Sequence, residues 1–240
     1  MIPQQQLSAM TENVAKIRET MAQAAREAGR DPSEILLCAA CKTRTVEEVT
    51  ASAALPIDLF GENHVQELVE KTDAGAYNGK PGHFIGHLQT NKVNKVVGRA
   101  ALIQSVDSIR LLDKIDAAAA RLNLTQEILI EINIGAEESK SGVGADDLWP
   151  LLDAAAAKEH LKVRGLMAIP PADADDDQTR RFFAQMRELL AAAEARGYEN
   201  AQMDILSMGM SHDYAMAIAE GATIVRVGTA IYGARDYSKK

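Results

Sequence analysis

Short apolar runs, each followed by a polar turn and then a helix-patterned stretch, recur eight times along this chain, and no other feature constrains its fold as strongly. The runs are ILLCAAC (35–41), IDLFGE (57–62), HFIGH (83–87), LIQSV (102–106), EILIEINI (127–134), VRGLMAI (163–169), DILSMG (204–209) and TIVRVG (223–228). Between them lie stretches such as VEEVTASAAL, SIRLLDKIDAAAARL, LWPLLDAAAAKEH and QTRRFFAQMRELLAAAEARG, built from the good helix formers Ala, Leu, Glu and Arg. Largely apolar strands separated by helices make a parallel sheet, and eight such units make a closed (β/α)8 barrel. An open doubly wound sheet needs fewer units and usually carries a glycine fingerprint after its first strand, whereas here that strand runs into CKTRT. Leu7, Met10, Val14, Ile17 and Met21 recur at three- and four-residue spacing, which predicts an extra amphipathic helix from about residue 7 to Gly29, before the first strand. Because a barrel of this type takes ~250 residues, the whole chain, 1–240, is read as a single α/β barrel domain of the TIM type.

Composition excludes several function classes. A net charge of −8 and a pI of ≈ 5.2, with no clustered basic face, argue against a nucleic-acid partner. MIPQQQLSAM lacks a basic leader followed by an apolar core, and no apolar run approaches the ~20 residues of a membrane span, so a cytoplasmic location and no membrane partner are expected. Cys38 and Cys41 have CxxC spacing, but on a strand they point to opposite faces and sit too far apart to bridge, so both read as core cysteines.

In a barrel, function belongs at the C-terminal ends of the strands, where the βα loops converge. Lys42 stands at the first of these ends, in register with Leu36, Cys38 and Ala40, whose small neighbours Cys38 and Ala40 leave room for a ligand. It is either a lysine reaching to solvent or an amine that attacks a carbonyl, its basicity lowered by burial and a second cation. Arg226, inside the apolar run TIVRVG on a strand that neighbours the first in a closed barrel, supplies that cation, or else belongs to an internal ion pair. Ser211 opens the helical pattern HDYAMAIAEG, as an N-cap or as part of an anion site. Gly228 and Thr229 add a backbone N–H and a hydroxyl at the loops where such barrels usually hold phosphate. No metal is expected: Asp173, Asp175 and Asp177 lack the glycine and glutamate of a calcium loop, and His83 and His87 on a strand make no compact pair.

Ordered motifs along nearly the whole chain carry a family resemblance: CKTRT, FGENHVQE, HFIGHLQTNK, SVDS, INIGAEESKSGV, RGLMAIPP, LSMGMSHDYAMAIAEGAT and VRVGTAIYGARDYSKK. The chain resembles the pyridoxal phosphate homeostasis proteins, fold-type III proteins similar to the barrel domain of alanine racemase. The resemblance implies pyridoxal 5′-phosphate (PLP) held as a Schiff base on Lys42, with Ser211, Gly228 and Thr229 on its phosphate and Arg226 facing its pyridine nitrogen. It also implies Asn63 near the cofactor, with His87 and Met208 in the surrounding shell. An arginine opposite the ring nitrogen disfavours a pyridinium and weakens the cofactor as an electron sink. Racemases also draw one acid/base group from a second domain, for which a chain filled by one barrel leaves no room. The expectation is therefore a monomeric PLP carrier serving vitamin B6 homeostasis, with PLP-dependent apoenzymes as recipients and no robust catalysis. A weak amino-acid racemase and a class I Schiff-base aldolase are its rivals.

Overall fold

The computed structural model describes residues 2–137 and 140–234; the last residues of the matched motif ARDYSKK, 235–240, lie outside that range. In chain order the elements are α1 (Gln4–Glu27), β1 (Leu36–Ala40), α2 (Val46–Ser52), β2 (Leu59–Glu62), α3 (Val65–Asp73), β3 (Gly82–Phe84), α4 (Val93–Val96), β4 (Leu102–Val106), α5 (Ile109–Arg121), β5 (Gln126–Ile132), α6 (Leu148–Ala156), β6 (Leu161–Ala168), α7 (Asp176–Ala195), β7 (Ala201–Ser207), α8 (Tyr214–Ala219), β8 (Ile224–Val227) and α9 (Thr229–Tyr232). The strands close into one parallel barrel in the order β1 to β8, with β8 returning to β1 through the pair Cys38↔Arg226. All eight expected strands are present.

Strand alternation divides the apolar residues into two bodies. Outward-facing residues such as Leu37, Ala39, Phe60 and Ile103 pack under the helices in the larger core. Inward-facing Cys38, Leu59, Leu102, Leu129, Met167 and Ile224 form a smaller apolar plug within the barrel. The two cysteines fall on opposite sides of this division, free and buried, and burial pushes the Cys38 thiol up to about 12 and that of Cys41 up as well. A thiol held protonated in this way is neither a nucleophile nor half of a redox pair.

The N-terminal helix α1 buries Met10, Val14, Ile17 and Met21, as its periodicity requires, and packs on α8, α9 and α2. Arg30, just beyond it, donates to the carbonyls of Ile218 and Ala222 at 2.8 Å each and ties the start of the chain to its end. At Gly165, with φ +146°, an added Cβ would lie 1.8 Å from the Ile205 carbonyl oxygen, so β6 and β7 approach as they do only because that side chain is absent. The acidic stretch before α7 caps that helix: Asp175 accepts from the Gln178 N–H at 2.8 Å, and Gln178 accepts from the Asp175 N–H at 3.1 Å. No helix among the described residues is long and apolar enough to cross a membrane.

Candidate functional site

A cavity of ≈ 550 Å³ opens at the C-terminal mouth of the barrel, lined by Ala40, Lys42, Asn63, Ile85, Ile169, Met210, Ser211, His212, Arg226, Gly228, Thr229 and Ala234. Six of the residues singled out from the sequence meet there. Lys42 is half-buried, and its amine has no hydrogen-bond or ion-pair partner among the described residues.

The turn that carries Lys42 is held from behind by a buried ion pair. Lys71 on α3, 1% exposed, donates at 2.8 Å to Oε1 of the fully buried Glu62 and at 3.0 Å to the carbonyl of Cys41, the residue before Lys42. The Tyr77 hydroxyl donates to the same Glu62 oxygen at 3.3 Å. Burial pushes the Glu62 carboxyl up, against the pull of Lys71. Thr43, which follows, adopts φ +66°, an unfavourable conformation for a β-branched residue, and its N–H donates to Glu67 at 3.1 Å. Thr45 then caps α2 in a reciprocal box with Glu48.

Ser211 is not the helix cap that its sequence position suggested. The N-cap of α8 is Asp213, and three groups at the start of α9, directly after β8, converge instead on the Ser211 Oγ. These are the N–H groups of Gly228 and Ala230, each at 3.4 Å, and the Thr229 hydroxyl at 3.2 Å. A hydroxyl oxygen has two lone pairs, and good bonds of these kinds run roughly 2.7–3.0 Å. Three long contacts to one oxygen are donors without an adequate acceptor, and an anion seated there would satisfy them.

Arg226 is 4% exposed and forms no ion pair among the described residues, so the ion-pair alternative for it falls away. Neutral acceptors hold it: its Nη1 donates to the Ser207 Oγ at 2.6 Å and its Nη2 to the Ala168 carbonyl at 3.0 Å. Burial lowers its basicity, with Cys38, Glu131 and Asp213 acting in the opposite sense. Its Nε–H has no partner among the described residues.

Asn63 lines the cavity, and Gly86 lets the segment after β3 run close to it, where a Cβ would lie 2.2 Å from the Asn63 carbonyl oxygen. His87 stands outside the cavity, in a smaller annex of ≈ 290 Å³ reached past Asn63, Ile85 and Ile169. It contacts the Ser141 hydroxyl at 3.1 Å and approaches Asp107 at 3.7 Å. Met208 must be corrected. Its side chain lies fully buried in the outer core, because Ser207 points inward to Arg226 and strand alternation turns the next residue away. Met210, two residues on, takes the place at the cavity.

Residues 5–236 match the family described as alanine racemase, N-terminal domain. A pyridoxal phosphate homeostasis protein of Aquifex aeolicus is 39% identical over 226 residues, which span 94% of this chain and 98% of the relative. The chain belongs to the pyridoxal phosphate homeostasis protein family. Solved structures share its fold, including two at 30% identity or more. A protein of unknown function from Bifidobacterium adolescentis has a TM-score of 0.90 at 34% identity, covering 97% of this chain and 98% of that one. PipY of Synechococcus elongatus, solved with PLP bound, has a TM-score of 0.81 at 30% identity, covering 93% of this chain and 100% of PipY.

Sequence reasoning passed over Ile85, Ile169, Met210 and His212 at the cavity. Ile85 and Ile169 carried a signal, since each shares strand parity with an inward residue, His83 and Met167. Met210 and His212 sit in a loop, where no periodicity reports direction.

Proposed function

We propose that this chain binds pyridoxal 5′-phosphate as a Schiff base on Lys42 and serves vitamin B6 homeostasis as a carrier, without robust turnover of amino acids. One observation carries the reading: a single cavity gathers an unpartnered amine, a buried guanidinium and three under-used donors around Ser211. PLP presents an aldehyde, a ring nitrogen and a phosphate, and each has a chemically matched group here. Its binding in PipY and the names of the curated relatives support the same assignment.

The amine of Lys42 would condense with the aldehyde, forming C=N and releasing water. Ser211, Gly228 and Thr229 would hold the phosphate, with the Ala230 N–H as a fourth donor. Arg226 would meet the ring nitrogen as a donor that cannot supply a proton outright, and Asn63 would flank the ring. When bound, PLP supplies a reactive aldehyde and an electron sink, and a guanidinium at the ring nitrogen keeps that sink weak. His87, in the annex, would reach a group extending from the cofactor and not the cofactor itself. The carrier is proposed to act as a monomer. Cytoplasmic PLP-dependent apoenzymes would be the recipients.

The test is an absorbance spectrum of the purified, PLP-loaded protein before and after borohydride, followed by mass mapping of the reduced adduct. A yellow protein trapped on Lys42, with the band lost in Lys42→Ala, is the expected result. A colourless protein, or trapping mainly on another lysine, refutes the assignment.

A further inference from the structure

A chain of hydrogen bonds crosses the interior of the barrel. Arg226 on β8 donates to Ser207 on β7 at 2.6 Å, Ser207 to the Oε1 of Gln104 on β4 at 2.7 Å, and the Nε2 of Gln104 contacts the Nδ1 of His83 on β3 at 2.9 Å. Ser207 and Gln104 are fully buried and His83 is 7% exposed.

The direction of this chain is forced by elementary chemistry. Arginine only donates, so the Ser207 oxygen must accept from it, and the one Ser207 proton is left for the Gln104 oxygen. The Gln104 amide nitrogen, itself only a donor, then requires a bare Nδ1 on His83, which places the histidine proton on Nε2. Burial lowers His83 to about 4, so the ring stays neutral near neutral pH. A protonated Nδ1 would face the Gln104 N–H donor to donor and break the sequence.

We propose that Ser207, Gln104 and His83 are positioning residues for Arg226, a one-way relay that fixes its guanidinium as a donor at the floor of the Lys42 cavity. Because Ser207 and Gln104 are each held between two partners, Arg226 cannot swing away without breaking those contacts, and a guanidinium has only N–H to present. The relay touches no reacting atom. Its consequence for the cofactor rests on the reading of the cavity as a PLP site, whereas its existence does not.

The closing experiment therefore has an arm without PLP. In the full-length apoprotein, 15N NMR should find His83 neutral with its proton on Nε2 down to about pH 5, and should find the two Arg226 Nη signals resolved, as for a guanidinium whose rotation is blocked. Gln104→Met and Ser207→Ala should merge those signals, and Ser207→Thr, which keeps the hydroxyl, should restore them. In the loaded protein the same two variants should retain PLP about tenfold less tightly, equivalent to ~1.4 kcal/mol. They should also shift the absorbance band of the bound cofactor in the direction that Arg226→Lys shifts it. A His83 protonated on Nδ1 or charged at pH 6, or averaged Arg226 signals in the wild-type protein, would overturn the relay. Variants that fold and keep the wild-type spectrum and retention would overturn its positioning role. Failure of wild-type protein to trap PLP on Lys42 would instead overturn the function, with the relay still decided by the apoprotein spectra.

Discussion

Replacing Lys71 with Met tests whether the Lys42 turn depends on the ion pair behind it. The change keeps the length and apolar stem of the side chain and removes its charge, leaving Glu62, 0% exposed, with only the Tyr77 hydroxyl at 3.3 Å on one oxygen and no partner on the other. Breaking a buried pair from one side costs ~3–5 kcal/mol, and losing the bond to the Cys41 carbonyl adds ~0.5–1.5 kcal/mol. The sum of about 4–6 kcal/mol is a large share of a typical stability of ~5–15 kcal/mol. The variant should also acquire a pH signature. The Glu62 carboxyl is already raised to about 7 by burial against the pull of Lys71, and without that pull it rises further above its unfolded value of ~4.3. A raised carboxyl favours folding while protonated, so its contribution is complete below the unfolded value and is lost as pH rises through the folded one. Up to ~1.4 kcal/mol per pH unit should disappear across neutrality. Urea unfolding followed by circular dichroism at pH 5, 6, 7 and 8 measures both effects, and the double variant Glu62→Gln/Lys71→Met should flatten the slope. A loss under ~1 kcal/mol at pH 8, or a pH profile parallel to that of the wild-type protein, would refute the argument.

Ser211→Ala should weaken PLP retention by roughly ten- to a hundredfold, the worth of one bond to a charged group, while leaving the urea midpoint nearly unchanged because the serine does not cap α8 and its contacts to the start of α9 are all long. Retention equal to wild type would remove the phosphate assignment. Gly86→Ala should destabilise the barrel by about 1–3 kcal/mol or more through overpacking, since its Cβ would collide with the Asn63 backbone; an unchanged thermal midpoint would show that the approach of the segment after β3 to Asn63 is loose. Chiral chromatography of alanine or serine incubated with loaded protein should show racemisation well below an ordinary turnover of ~1 s⁻¹, and a Lys42-dependent rate above it would make the protein a racemase.

Strand count, closure and the extra helix were legible because period and parity are local properties of sequence: ILLCAAC announces β1 by its own residues. Lys42 and Arg226 were legible for a related reason, being charges in apolar runs at strand ends. Ser211 and Met208 mark the limit of that reading. Both sit where the chain leaves β7, and there the one-residue difference between Ser207 inward and Met208 outward decides which side chain meets the cavity. Ser211 looked like a cap because SHDY precedes a helical pattern, yet the start of α9 supplies better donors than the first turn of α8 does. Neither outcome can be read from spacing, since both depend on residues about twenty positions away. The relay was invisible for the same reason: Ser207, Gln104 and His83 are ordinary polar residues in their own strands, and only closure brings them together.

Closure also decides when the site comes into being. Lys42 follows the first strand and Arg226 lies on the last, and the pairing Cys38↔Arg226 that seals the barrel is the contact that sets the amine and the guanidinium over the same cavity. Ser211 precedes β8 and its three donors follow it at the start of α9, so the groups proposed to hold the phosphate meet only once β8 is in place. A partly folded chain holds each group but no cavity. Such a chain has nothing with which to grip a phosphate while an aldehyde meets an amine, so PLP that binds through all three groups binds only the closed barrel. By mass action the ligand then stabilises that closed state by RT ln(1 + [L]/Kd). On the proposed reading, carriage and folding would thus be linked through one strand pair, and release to an acceptor would not require unfolding, because water could hydrolyse a C=N at Lys42 while β1 and β8 stay joined.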